Sequence, residues 1–385
     1  MTHPLAAFSS DELRERISVK WRYFPPDILP AFVAEMDTPL APPVAEALIA
    51  AVRRGDTGYA TPSGLPEAFA EFAARRYGWN PDTGRIRLMS DVMGGIVELL
   101  QVITEPGSSI VVNPPVYHPF FFWLDHIGRR VVQSPLRPTA DGYRLDLDRL
   151  ERDFAAGAAA YLLCNPHNPT GTVFTDAELR GVAELAERHQ VRVVVDEIHA
   201  PLTYPGQRHV PFGSLPGDAI EHAVVAVSAS KAWNFAGLKA ALLVAGPKAW
   251  PDLQRIPEMM SYQAGILGVI ASEAAFRHGE PWLDDLIRDL DDNRSLLAEL
   301  LAAELPEVGY HPPQATYLAW LDCRRLNLPG DPAEIFLEHG KVAVNSGPTF
   351  GAGGEGFVRL NLATAAPRLT EAVRRIGAAV RKVAP

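Results

Sequence analysis

Val191-Arg192-Val193-Val194-Val195-Asp196-Glu197-Ile198-His199 is a run of β-branched apolar residues that stops on a carboxylate. A strand that apolar on both faces belongs in the middle of a sheet covered from two sides. Similar runs occur at Ala159–Cys164, which stops before Asn165, and at Ala223–Val227, with Lys231 shortly after. Two more lie outward, at Ser109–Val112 and Ala241–Ala245. Helical spacing fills the gap between two of them, with Leu179, Val182 and Leu185 on one stripe of Ala177–His189. Strands alternating with helices imply crossover connections, hence an α/β fold with a mostly parallel central sheet sandwiched by helices. Sites in such sheets lie at the carboxyl ends of the strands. Asn165, Asp196 and Lys231 all fall there.

The texture changes after about residue 275. Glu280–Leu301 reads as a charged helix, with Trp282, Leu283, Leu286 and Leu290 on one stripe. A β-like segment follows at Thr316–Leu321 and a last helix at Arg368–Val383. We expect a large domain over 41–275 and a smaller α+β domain from 1–40 plus 276–385. The chain has 385 residues, 47% hydrophobic and 21% charged, which suits a folded globular protein rather than a disordered segment. Its formal charge of −10 and the lack of a basic run argue against a nucleic-acid surface. Cys164 and Cys323 fit no metal spacing, so no metal is expected. The first ten residues lack a signal pattern, and no apolar stretch reaches membrane-helix length, so the expectation is a cytoplasmic protein.

The strongest local signal is Ser228-Ala229-Ser230-Lys231-Ala232-Trp233-Asn234-Phe235-Ala236-Gly237-Leu238. Upstream stand Asp196-Glu197-Ile198-His199 and Asn165-Pro166-His167-Asn168-Pro169-Thr170-Gly171. Each pair of segments is separated by enough chain for one helix and the next strand. Taken in this order, the three resemble the fold-type I aminotransferases (class I/II), over roughly Phe32 to Ile376. The resemblance implies a pyridoxal 5′-phosphate (PLP) transferase-like fold, with Lys231 joined to the cofactor aldehyde as a Schiff base. Asp196 would hold the pyridine nitrogen protonated, so that the ring can accept carbanion charge. Asn165 would bond the ring's 3-oxygen. His199 stands where related enzymes carry a tyrosine and could reach the same oxygen, with a packing histidine as the alternative. Ser228 and Ser230 match phosphate ligands. The turn Ser90-Asp91-Val92-Met93-Gly94-Gly95, read as opening a helix near Ile96, would offer the Val92 and Met93 amides to the phosphate. Tyr117 matches the aromatic that stacks on the ring. Tyr59 resembles the tyrosine that reaches the neighbouring subunit's phosphate, which implies a homodimer with shared active sites. Arg359, in Gly356-Phe357-Val358-Arg359-Leu360-Asn361, resembles the arginine that grips the substrate carboxylate. Tyr59 and Asn165 would also meet the substrate. The arginine usual shortly after the lysine is missing, and Lys239 stands nearby instead.

Four stretches narrow the resemblance to the C–S lyase (cystathionine β-lyase) branch: Val33–Asp37, Asp196–His199, Trp233–Lys239 and Gly279–Leu283. The tail Phe350–Arg359 is similar too. This implies α,β-elimination on cystathionine or another cysteine S-conjugate, with Lys231 as the base and Tyr117 beside it. Pro201 replaces the acidic residue usual after this Asp-Glu-Ile-His-Ala. Phe121, Phe122, Trp123 and Trp233 suggest an aromatic pocket, unless they are core. An aminotransferase of an aromatic or neutral amino acid would use the same cofactor residues. A PLP-binding regulatory protein is a lesser alternative, since only about 40 residues precede the family-like region.

Overall fold

The computed structural model describes residues 2–383. Seven strands form the central sheet: β1 (Ile86–Met89), β2 (Ser109–Val112), β3 (Arg130–Gln133), β4 (Ala160–Cys164), β5 (Arg192–Asp196), β6 (Val224–Val227) and β7 (Ala241–Ala245). Their order is β1-β7-β6-β5-β4-β2-β3, parallel throughout except for β7, which runs against both neighbours. β5, the most apolar run in sequence, sits at the centre. Its valines are buried, as are all residues of β4, β6 and β7. The apolar-run pattern misses β1 and β3. Both are edge strands, and β3 (Arg-Val-Val-Gln) has no buried residue, so neither carries the fully apolar pattern.

Helices cover both faces. Those used below are α1 (Pro42–Arg54), α2 (Leu65–Tyr77), α3 (Val92–Ile103), α4 (Asp176–His189), α5 (Ile266–His278), α6 (Glu280–Glu304) and α7 (Ala366–Val383). α4 starts on a capping box in which Thr175 and Glu178 exchange backbone bonds. α3 begins at Val92, four residues before the expected start. Asp91 is the reason: its Oδ1 accepts from Gly94 N at 2.7 Å, capping the helix ahead of the glycine pair. Gly95 then lies inside the first turn, where a Cβ would press on Leu243 and Met89 at 3.1 Å.

The C-terminal part carries a four-stranded antiparallel sheet from β8 (Gly309–Tyr310), β9 (Leu318–Asp322), β10 (Asn345–Ser346) and β11 (Phe357–Asn361), in the order β8-β9-β11-β10. α6 and α7 pack behind it, each with one buried stripe. The N-terminal chain crosses to this side as well, because Leu29–Pro30 pairs in parallel with Val342–Ala343. No helix among the described residues is long and apolar enough to cross a membrane.

Candidate active site

The carboxyl ends of β4, β5 and β6 lie level, since Cys164 is in register with Asp196 and Asp196 with Ala226. Asn165 N donates to Asp196 O at 3.0 Å and Glu197 N to Ala226 O at 2.9 Å, which continues the alignment beyond the strands. Asn165, Asp196 and Lys231 are thereby gathered at one edge of the sheet.

Asp196 is 4% exposed, and its Oδ1 accepts from Ile198 N at 3.0 Å. Burial pushes its pKa up to about 7, against the pull of that N–H and of Lys231. A carboxylate held so dry favours a cationic partner. Asn165 is fully buried. Its Oδ1 accepts from Phe174 N, while its Nδ2 has no partner among the described residues. His199, 3% exposed, leaves Nδ1 unpaired. Burial, with Lys231 and Arg359 nearby, lowers its pKa to about 3, so the imidazole is neutral.

Lys231 Nζ donates to the Ala34 carbonyl at 3.0 Å. Burial, then the Arg359 charge, lowers its pKa to about 8, which makes the amine available as a nucleophile or base near neutrality. Ser228 Oγ donates to Ala240 O at 2.7 Å and lies 3.0 Å from Ser230 Oγ, so it braces the turn that carries the lysine. At the head of α3 the Val92 and Met93 amides have no acceptor among the described residues. Lys239 reaches the same helix end, pairing with Asp91 at 2.9 Å. Tyr117 is half-buried against Phe120, with its phenol pushed up to about 12 by burial and then by Asp196.

Arg359, on β11, is 3% exposed and meets no carboxylate among the described residues. It donates to Asn168 Oδ1 (3.1 Å), Phe32 O (2.9 Å) and Asn345 Oδ1 (2.7 Å), while its Nε is unpaired. Burial lowers its pKa to about 10. A buried guanidinium with only neutral partners is a seat for an anion. The Asn165–Gly171 loop is pinned beneath it: Gly171 has φ +68°, and Gln314 N and Ala315 N both donate to its carbonyl.

Tyr59 stands apart, 87% exposed on the chain between α1 and α2. Of the two readings of Phe121, Phe122, Trp123 and Trp233, a shared aromatic pocket does not form. Trp233 is fully buried against Phe72 and Phe276, with its indole N–H on Gly279 O, and Phe122 is 64% exposed beside Trp123 and His126.

Two features escaped the sequence reading. The first is a strap, residues 31–38, laid over the lysine. Asn361 Nδ2 donates to Val33 O and Glu35 O (2.7 and 2.6 Å), Asn234 exchanges two bonds with Met36, and a buried Lys20–Asp37 pair (3.0 Å) anchors the far end. The second is Tyr317, fully buried, whose hydroxyl donates to the Ala34 carbonyl at 2.9 Å. An aromatic in a β-like run reads as core, and only the strap's approach gives it a polar task.

Together these groups offer a lysine amine, a buried carboxylate, an unpaired amide N–H donor and open amides at a helix N-terminus. That donor set fits an aromatic aldehyde bearing a ring nitrogen, an oxygen substituent and a phosphate. Arg359 adds a carboxylate seat beside the lysine.

Comparison with known proteins agrees. The family model for aminotransferase class I and II matches residues 33–376. The cystathionine beta-lyase of Corynebacterium glutamicum is 39% identical over 373 residues, spanning 95% of this chain and 97% of that one. Cystathionine beta-lyase PatB of Bacillus subtilis is 36% identical over 390 residues, spanning 96% and 99%. Among solved structures, cystalysin of Treponema denticola, which contains a pyridoxal 5′-phosphate cofactor, superposes with a TM-score of 0.92. It is 25% identical, with 99% of this chain and 100% of that one covered.

Proposed function

The chain belongs to the aminotransferase class I and II family, and on that premise we propose that it is a pyridoxal-phosphate-dependent carbon–sulfur β-lyase acting on cystathionine or another cysteine S-conjugate. The observation that carries the reading is the buried Arg359, without an anionic partner among the described residues and near enough to Lys231 for its charge to lower the pKa of that amine. It supplies a place for an amino acid's carboxylate beside a lysine able to take its α-proton. The named lyases among the relatives favour elimination over transamination.

Lys231, Asp196, Asn165, His199, Ser228, Ser230, Tyr117 and the Val92 and Met93 amides would hold the cofactor. When bound, pyridoxal phosphate supplies the electron sink that makes the substrate's α-proton acidic. Arg359 fixes the carboxylate bidentately and so orients the Cα–H bond. Lys231 Nζ, neutral in good part near pH 8, takes that proton. Asp196 keeps a positive ring nitrogen matched inside a dry site. The electrons of the broken Cβ–S bond leave with sulfur, which is released as a thiol after gaining a proton. For cystathionine the balance is one water consumed, with homocysteine, pyruvate and ammonia formed.

The functional unit in this reading is a homodimer. Tyr59, Ile49, Val52 and Met259 are exposed, which suits surfaces that a second copy covers, and the partner's copy of the Tyr59 loop would complete each site. A cytoplasmic setting suits the two buried free thiols, Cys164 and Cys323.

The test is to incubate the purified, PLP-loaded protein with L-cystathionine and assay pyruvate and thiol together. Equal amounts of both, lost with the visible cofactor band in Lys231→Ala, are expected. Amino transfer to an added keto acid without thiol release would replace the reading by the aminotransferase one.

A further inference from the structure

We propose that Tyr317 is a positioning residue for the Lys231 amine, acting through the Ala34 carbonyl that both groups use. The proposal rests on the reading of Lys231 as the cofactor lysine and base. One carbonyl oxygen receives two donors, Lys231 Nζ at 3.0 Å and Tyr317 Oη at 2.9 Å, so both of its lone pairs are engaged.

The oxygen is a fixed point. Around it the carbonyls of Val33, Glu35, Met36 and Thr38 are each taken by side chains: Asn361 for the first two, Asn234 and Arg16 for Met36, Arg16 for Thr38. Ala34 alone turns its carbonyl to the lysine. Tyr317 is fixed as tightly. It follows Thr316, a β-branched residue at φ +74°, a conformation that persists only where its surroundings impose it. They do so here: Thr316 N donates to Leu202 O, Tyr204 Oη to Thr316 O at 2.6 Å, and Leu318 N to Thr316 Oγ1. The result aims the phenol between His199, at a ring distance of 5.9 Å, and the strap.

A second donor on the same oxygen withdraws electron density and weakens the bond to the first. An ammonium gains more from a carbonyl than a neutral amine does. By sharing the oxygen, Tyr317 therefore holds back stabilisation from charged Lys231 and favours the neutral base. The other charged or titratable groups facing Lys231 are Asp196 from β5, His199 just beyond it, Arg359 from β11, Glu35 from the strap and Lys239 from its own loop. Tyr317→Phe leaves all of them in place and keeps the ring that packs on His199.

The experiment compares PLP-loaded wild type with Tyr317→Phe in two ways. One is the pH profile of kcat and KM on L-cystathionine. The other is the pH titration of the visible band at saturating L-alanine, which has no leaving group. The variant is expected to load cofactor as the wild type does and to keep KM. Its acid limb of kcat and its spectral midpoint should both move up by about half a pH unit, giving about a threefold lower kcat near pH 7 that disappears by pH 9. Placing 3-fluorotyrosine at 317, a stronger donor, should move both the other way, and it serves as the test if the phenylalanine variant does not fold. An unshifted limb and midpoint overturn the proposal, whether kcat is unchanged or falls equally at every pH. Absence of the visible band in the wild type overturns the Lys231 reading beneath it instead.

Discussion

Lys231 is held in a place that penalises its charge, and this has a measurable signature in the ligand-free protein. Its pKa is about 8 when folded, against 10.5 for a free lysine. Between those values the unfolded chain binds the extra proton, so stability rises with pH through about 8 to 10.5, and the penalty is fully present below 8. Lys231→Met should therefore be more stable than wild type at pH 7, by on the order of 2 kcal/mol after the lost bond to Ala34, and the gain should vanish at about pH 9.5, where the remaining charge penalty equals that bond. Thermal melts of both proteins across that range check it. Arg359→Lys is expected to raise KM for the amino acid roughly a hundredfold with a smaller fall in kcat, because an ammonium cannot reproduce the planar, two-pronged grip. Steady-state kinetics decide this, and an unchanged KM would place the carboxylate elsewhere.

At the scale of elements, the loop from Asn165 to Gly171 links the sheet edge to the arginine, since Asn168 accepts from Arg359. A Cβ at Gly171 would stand 2.2 Å from that of Pro313, and its φ of +68° disfavours any other residue. Gly171→Ala should cost at least about 2 kcal/mol and raise KM by displacing Asn168, which denaturant titration and kinetics can separate. The same elements mark what the sequence could tell. Asn165, Asp196 and Lys231 were legible because each is a polar residue placed at or just past the end of an apolar strand. The strap and Tyr317 were not, because their roles come from segments nearly three hundred residues apart meeting at one carbonyl (Ala34 and Tyr317). The early start of α3 was hidden by Gly94 and Gly95, which read as a turn until the Asp91 cap is seen. For Trp233 the sequence leaves pocket and core equally open, because nothing local says that Phe72 and Phe276 enclose it.

At the scale of the whole molecule, the proposal that Tyr59 serves a neighbour's site in a homodimer can be tested by complementation. Chains carrying Tyr59→Ala and chains carrying Lys231→Ala, each inactive or nearly so, should regain activity when unfolded and refolded together. Random pairing makes half of the dimers hybrids with one intact site each, so about a quarter of wild-type activity is the expected ceiling. No recovery would mean that each chain supplies its own site in full.

The reversed strand β7 carries a consequence for how the chain is made. β1 emerges from the ribosome early, yet its partner in the sheet is β7, so that Met89 waits for Ala241. β2, β3, β4, β5 and β6 can assemble in the meantime, while β1 stays an unpaired edge on a nascent chain. Closing that edge is a late, long-range event, slow in the way non-local pairings are. Ribosome-stalled chains released just before residue 241 should expose β1 to proteolysis or chaperone capture, whereas chains released just after 245 should protect it.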